Sequence, residues 1–149
     1  GCHLRQPCYR IEYLKPGKLG WAAFAWQRVP DGPMNWGEHP GIDLSDRGFR
    51  SVRVWAKGES AGGGTVRVQF KSGGNVAPKF AATNSASYSV ANPTTPLAEM
   101  YREFCLDLTG KSLRNVVSPL TVVVSRAANP KGAVVMVSDV AFSTAPCRQ

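Results

Sequence analysis

The strongest constraint on this chain is the strict alternation of apolar and polar residues through its middle. In residues 51–56, Val52, Val54 and Ala56 fall on one face, and Arg53 and Trp55 on the other. After a glycine-rich turn at 57–64, Val66, Val68 and Phe70 alternate with Arg67, Gln69 and Lys71. A period of two belongs to a strand with one face in a core and one toward solvent. Two such segments around a glycine-rich loop read as an antiparallel hairpin. That pairing would set Arg53, Trp55, Arg67 and Gln69 on one sheet surface.

Further strands are expected at 9–14, 22–27, 87–90, 103–108, 120–125 and 133–142. The last two contain Val122–Val124 and Val134–Val137, β-branched runs bounded by Pro119, Asn129-Pro130 and Gly132. Residues 95–108 fit two patterns. Thr95-Pro96 followed by Leu97, Met100, Tyr101 and Phe104 has helical spacing with threonine at a cap and proline in the first turn. From Glu103 onward the same stretch alternates as a strand. The sequence therefore predicts a short helical turn over 96–100 leading into a strand that ends at Thr109-Gly110. About eight strands separated by turns make an all-β antiparallel sandwich, wired as a Greek key or jelly roll. The 149 residues suit one domain, with a core over 9–142 and the tails tied down. Long loops at 28–44 and 73–86 are places where binding residues gather.

Lysine and arginine number 18 against 10 acids, a net charge of +8. That field draws anionic polysaccharide or a cell surface, and nucleic acid only non-specifically through charge. No apolar run reaches the roughly 20 residues of a membrane span. Four cysteines, Cys2, Cys8, Cys105 and Cys147, three of them near the ends, read as disulfides and hence as a secreted or extracytoplasmic chain. Three pairings are open. The Cys2-x5-Cys8 spacing does not suit a zinc knuckle.

Catalytic motifs are missing from the sequence. His3 and His39 are its two histidines, and neither lies in a nucleophile or metalloprotease pattern. A glycan-active enzyme would need Glu38, His39 and Asp43 of the first long loop to converge. The reading is therefore a non-enzyme. The four tryptophans are more telling, because an indole face stacks on the apolar side of a sugar ring. Trp21 and Trp26, within a strand, are expected in the core. Trp36, in a Pro/Gly/Asn loop, and Trp55 are the candidate platforms, with Arg53, Arg67 and Gln69 bonding ligand hydroxyls.

A family resemblance rests on five segments. Gly20-Trp21-Ala22-Ala23-Phe24-Ala25-Trp26-Gln27, Asn35-Trp36-Gly37-Glu38-His39-Pro40-Gly41-Ile42-Asp43-Leu44 and Ser51-Val52-Arg53-Val54-Trp55-Ala56-Lys57-Gly58-Glu59 come first. Tyr101-Arg102-Glu103-Phe104-Cys105-Leu106-Asp107-Leu108-Thr109-Gly110 and the closing Val137-Ser138-Asp139-Val140-Ala141-Phe142 follow. In order and spacing they resemble the galactose-binding-like jelly-roll domains of bacterial extracellular proteins, which include many carbohydrate-binding modules. The resemblance implies a ligand on a concave sheet face or at a loop rim. Some such modules hold a structural calcium through the first aspartate of the closing strand, which here is Ser138. Glu12 and Asp139 are the carboxylates left for it, and calcium wants six to eight oxygens. No other cofactor is implied. The expected function is a secreted, non-catalytic carbohydrate-binding domain favouring acidic polysaccharide. The alternative is an extracellular or envelope interaction module without sugar recognition.

Overall fold

The computed structural model describes residues 2, 7–14, 18–27, 35, 39–60, 62–74, 89–91 and 94–148. Among the described residues, nine strands follow in chain order: β1 (Cys8–Tyr13), β2 (Trp21–Trp26), β3 (Ser51–Glu59), β4 (Val66–Gly73), β5 (Ser89–Ala91), β6 (Thr95–Leu97), β7 (Arg102–Asp107), β8 (Ser118–Ser125) and β9 (Ala133–Ser143). All pair antiparallel, and the described residues contain no helix. Sheet I has the order β1-β9-β3-β7, and sheet II has β2-β8-β4 with β5 and β6 sharing the far edge of β4. β5 pairs with Lys71–Gly73 and β6 with Val66–Val68, so the two are one interrupted edge strand. Two sheets with four strand positions each, the chain crossing between them at every step except β4 to β5/β6, are a jelly-roll sandwich.

The alternating segments do form strands, but β3 and β4 do not pair. They lie in different sheets, and their inward faces meet across the core. Alternation fixes which side of a strand is buried, and it is silent on whether the next strand joins the same sheet or the opposite one. The core comprises Val52, Val54 and Ala56 of β3 with Val135 and Val137 of β9, facing Val66, Val68 and Phe70 of β4 and Leu120, Val122 and Val124 of β8. Phe70 and Phe104 join the layers, their ring centroids 5.2 Å apart. β3 runs three residues past the expected Ala56, because Gly58 lets the layers close. A Cβ at Gly58 would lie 2.8 Å from the Cβ atoms of both Leu97 and Val66.

The helical turn expected at 96–100 is instead strand β6 followed by a bend. Leu97 enters the core at 4% exposure, and Pro96 sits on an edge, where its missing N–H is tolerated. Burial of one leucine in the sheet outweighs a weak local helix preference.

Buried side-chain amides tie the loops to the sandwich. Gln27 Nε2 donates to the Asn35 carbonyl (2.8 Å), and Asn35 N–H donates back to Gln27 Oε1 (2.8 Å). Asn115 Oδ1 accepts from the Gly41 N–H beside the Ile42–Val116 bridge. Asn129 Oδ1 accepts from the Arg67 N–H (2.8 Å), and its Nδ2 donates to the Arg67 carbonyl (2.7 Å). Each replaces ladder bonds that irregular backbone cannot make for itself.

The cysteines pair as Cys2–Cys8 and Cys105–Cys147. The second bond straps the segment after β9 across the outside of sheet I. There Ser51 Oγ donates to the Ala145 carbonyl (2.7 Å), and Arg53 Nη2 to the Pro146 carbonyl (3.0 Å). The Cys105–Cys147 loop spans 42 residues and the Cys2–Cys8 loop 6. Loop-closure entropy grows with the span, so removing the long bridge by paired Cys→Ser changes costs about 4 kcal/mol and removing the short one about 2 kcal/mol. Guanidinium unfolding of the two double variants should show the larger loss for Cys105/Cys147.

Candidate functional site

The structure separates the residues that the sequence grouped. Arg53 and Trp55 alternate with the buried Val52, Val54 and Ala56, so they face outward from sheet I. Arg67 and Gln69 face outward from sheet II, on the opposite side of the sandwich. Trp36 and Glu38 lie outside the described residues. Arg53 is engaged within the fold, its Nη1 donating to Glu103 Oε2 at 3.0 Å. The five expected ligand-binding residues therefore do not share one surface.

The two calcium candidates are also apart. Glu12 is opposite Val134 and forms an ion pair with Arg10, whereas Asp139 lies five residues further along β9. At strand rise that separation is about 16 Å, too far for one ion. Among the described residues no three of His, Cys, Asp or Glu gather at one point. In the first long loop, Asp43 accepts from the Ser45 hydroxyl (2.7 Å) and N–H (2.9 Å), and these bonds hold its carboxyl below the ordinary value. That shift is opposite to the one a general acid needs, and it marks Asp43 as a turn former.

Of the two tryptophans of β2, Trp26 packs partly buried against the core as expected, and Trp21 departs from that expectation. Trp26 and Phe24 face inward but lie at the open side of the sandwich, and Trp21 points outward with 48% of its surface exposed. Tyr9 of β1 meets Trp26 edge-on at 5.0 Å and Phe24 at 6.0 Å, while Phe24 and Trp26 are 4.7 Å apart. These rings hold one another in edge-to-face geometry.

Beside them, β9 makes a bulge. Trp55 pairs with Ser138 and Arg53 with Ala141, so Asp139 and Val140 together oppose Val54 alone. Asp139 has φ of +52°, and no other non-glycine residue among those described has a positive value. Aspartate tolerates this left-handed conformation better than most residues. Ser138, fully buried, donates its hydroxyl to Asp139 Oδ2 at 2.6 Å. A signal for the bulge is present in the sequence. Inward apolar residues on β9 are odd-numbered through Val137 and even-numbered from Val140, and a one-residue phase change in a strand requires a bulge.

The bulge and the aromatic cluster enclose a cavity of about 340 Å³ at the rim of the sandwich, walled by Tyr9, Trp26, Pro119 and Phe142 with Asp139 at its side. Phe142 is held from behind by Phe49, stacked at 5.0 Å and 25°. The cavity offers flat apolar walls and one carboxylate, which can receive hydroxyl hydrogen bonds from a ligand.

Fold and site define a jelly-roll β-sandwich with an aromatic pocket at one rim. No family model matches the chain, and no curated protein matches it.

The bulge makes Asp139 a test of backbone geometry. Asp139→Gly loses the Ser138 hydrogen bond but carries no backbone strain, because glycine adopts positive φ freely. Asp139→Val should be less stable than Asp139→Gly by about 1–2 kcal/mol, since a β-branched residue is strained there. Urea midpoints of the two variants check this.

Proposed function

We propose that the chain is a non-catalytic glycan-binding domain that holds a sugar in the rim pocket. The observation that carries this reading is the pairing of preorganised aromatic walls, Tyr9, Trp26 and Phe142, with the Asp139 carboxylate in one cavity. Ring faces receive the C–H side of a sugar, and the carboxylate accepts from its hydroxyls. The rings are packed against one another before any ligand arrives, so little ordering entropy is lost on binding. Two disulfides point to a non-reducing, extracytoplasmic setting, where polysaccharide is met. No helix among the described residues is long and apolar enough to cross a membrane.

The test is a screen of immobilised neutral and acidic oligosaccharides at physiological salt, followed by calorimetry on the strongest binder. Trp26→Leu and Asp139→Gly should each weaken that interaction about tenfold, with far-ultraviolet circular dichroism unchanged. A blank screen, or full affinity in both folded variants, sinks the reading.

A second reading, an interaction module of an extracellular or envelope assembly, is favoured by β2. It is an edge strand whose sequence, Trp-Ala-Ala-Phe-Ala-Trp, carries no charge and no proline, and its six-residue ladder has no bulge. Other edges carry the usual protection: Arg10 and Glu12 on β1, Arg102, Glu103 and Asp107 on β7, and the broken β5/β6. Under this reading, sedimentation shows association that rises with concentration and is abolished by Ala23→Lys. A monomer at every concentration counts against self-pairing through this edge.

A further inference from the structure

We infer that the outer face of sheet II binds an anionic polysaccharide, laid across Trp21 and the Arg67–Lys71 pair. This extends the glycan reading to a surface remote from the chemistry of the rim pocket.

The charges of the strands are segregated by sheet. Every acidic residue on a strand belongs to sheet I: Glu12, Glu59, Glu103, Asp107 and Asp139. The strands of sheet II contain no acid at all, and their charged residues are Arg67 and Lys71. On sheet I three of the four strand cations are matched locally. Arg10 pairs with Glu12, Arg53 with Glu103 at 3.0 Å and Lys57 with Glu59 at 2.9 Å. Lys57 also holds the Glu59 carboxyl below its ordinary value. Neither Arg67 nor Lys71 has an ion-pair partner among the described residues. Among the described residues, the strands of this chain of net charge +8 thus carry mixed, mostly paired charge on sheet I and only cations on sheet II.

Register supplies the rest of the surface. Trp21 pairs with Ser125, Ala23 with Val123 and Ala25 with Thr121. On the other side of β8, Gln69 pairs with Val123 and Lys71 with Thr121, and Arg67 falls in the row of Ser125. The Trp21 backbone position therefore lies about 10 Å across the sheet from that of Arg67, two strand spacings away. An exposed indole, a guanidinium, an amide and an ammonium share one regular face. Asn129 clamps the Arg67 backbone on both its N–H and its carbonyl, so the guanidinium springs from a fixed base.

Spacing favours polysaccharide over nucleic acid as the polyanion. Arg67 and Lys71 are four residues apart, about 13 Å along the strand. Duplex DNA carries a charge every ~1.7 Å and is met by dense cation clusters. Two cations with a stacking ring and an amide between suit a chain with well-separated acidic groups and hydroxyls.

The experiment measures binding of polygalacturonate, with dextran as neutral control and a duplex oligonucleotide as competitor, at low and physiological salt. Arg67→Glu/Lys71→Glu is compared with Arg10→Glu/Arg102→Glu, which changes net charge equally but on sheet I. The sheet II variant should bind polygalacturonate about tenfold more weakly, the sheet I variant within about twofold of the parent. Trp21→Ala, which leaves charge unaltered, should lose several-fold at physiological salt. Equal losses in both charge variants mean that net charge alone binds, and they overturn the assignment. So do unchanged binding in the folded sheet II variant and preferential capture of the duplex. Retention of a neutral oligosaccharide is read in parallel, so failure of this face and failure of the rim pocket are distinguishable.

Discussion

The contact between the inward valines of β3 and β9 and those of β4 and β8 is what the rest of the molecule depends on. It buries the middle of one face of each sheet: Val52, Val54, Val122 and Val135 are all at 1% exposure or less. Burial of apolar area at about 25 cal/mol per Å² makes this layer the dominant stabilising term. Because it uses only one face per sheet, each outer face is left to be composed separately. One is filled with ion pairs and strapped by the segment after β9. The other is left cationic and flat.

The same layer explains where the cavity lies. The sheets close tightly where Gly58 lets Leu97 and Val66 approach, and they part at the opposite side, where β1 and β2 contribute Tyr9, Phe24 and Trp26. Aromatic rings at a parting edge have no second layer to cover them, so they cover one another and leave a recess. The bulge at Asp139 turns β9 by one residue beside that recess, bringing a polar group to an apolar wall.

How much of this the sequence disclosed depends on the residue. Strand existence was legible wherever one face is buried, as in Val66, Val68 and Phe70, because burial imposes period two. Pairing was not legible, and the expected β3–β4 hairpin failed because a strand crossing to the opposite sheet has the same pattern as one turning back. That failure split Arg53 and Trp55 from Arg67 and Gln69. A shared strand suggests one environment for Trp21 and Trp26, yet five residues apart they face opposite ways, and Trp26 alone packs against the core. Asn129-Pro130 marks a turn in the sequence, but its clamp on Arg67 has no local signal, since that partner is 62 positions distant. Pro96 misled through a real helix-start preference that the edge of β4 overrode.

β9 comes after the other eight strands in the chain and yet lies in the interior of sheet I, between β1 and β3. Its neighbours join residues as remote as Cys8 and Ser138. Until it arrives, β1 has no partner in that sheet and β3 lacks one of its two. Closing such distant contacts is slow, because chain entropy is lost before the contacts repay it. Cys147 lies beyond β9, so the Cys105–Cys147 bond joins the exit of that last strand to β7 and keeps the two in one sheet once the distant contacts have closed.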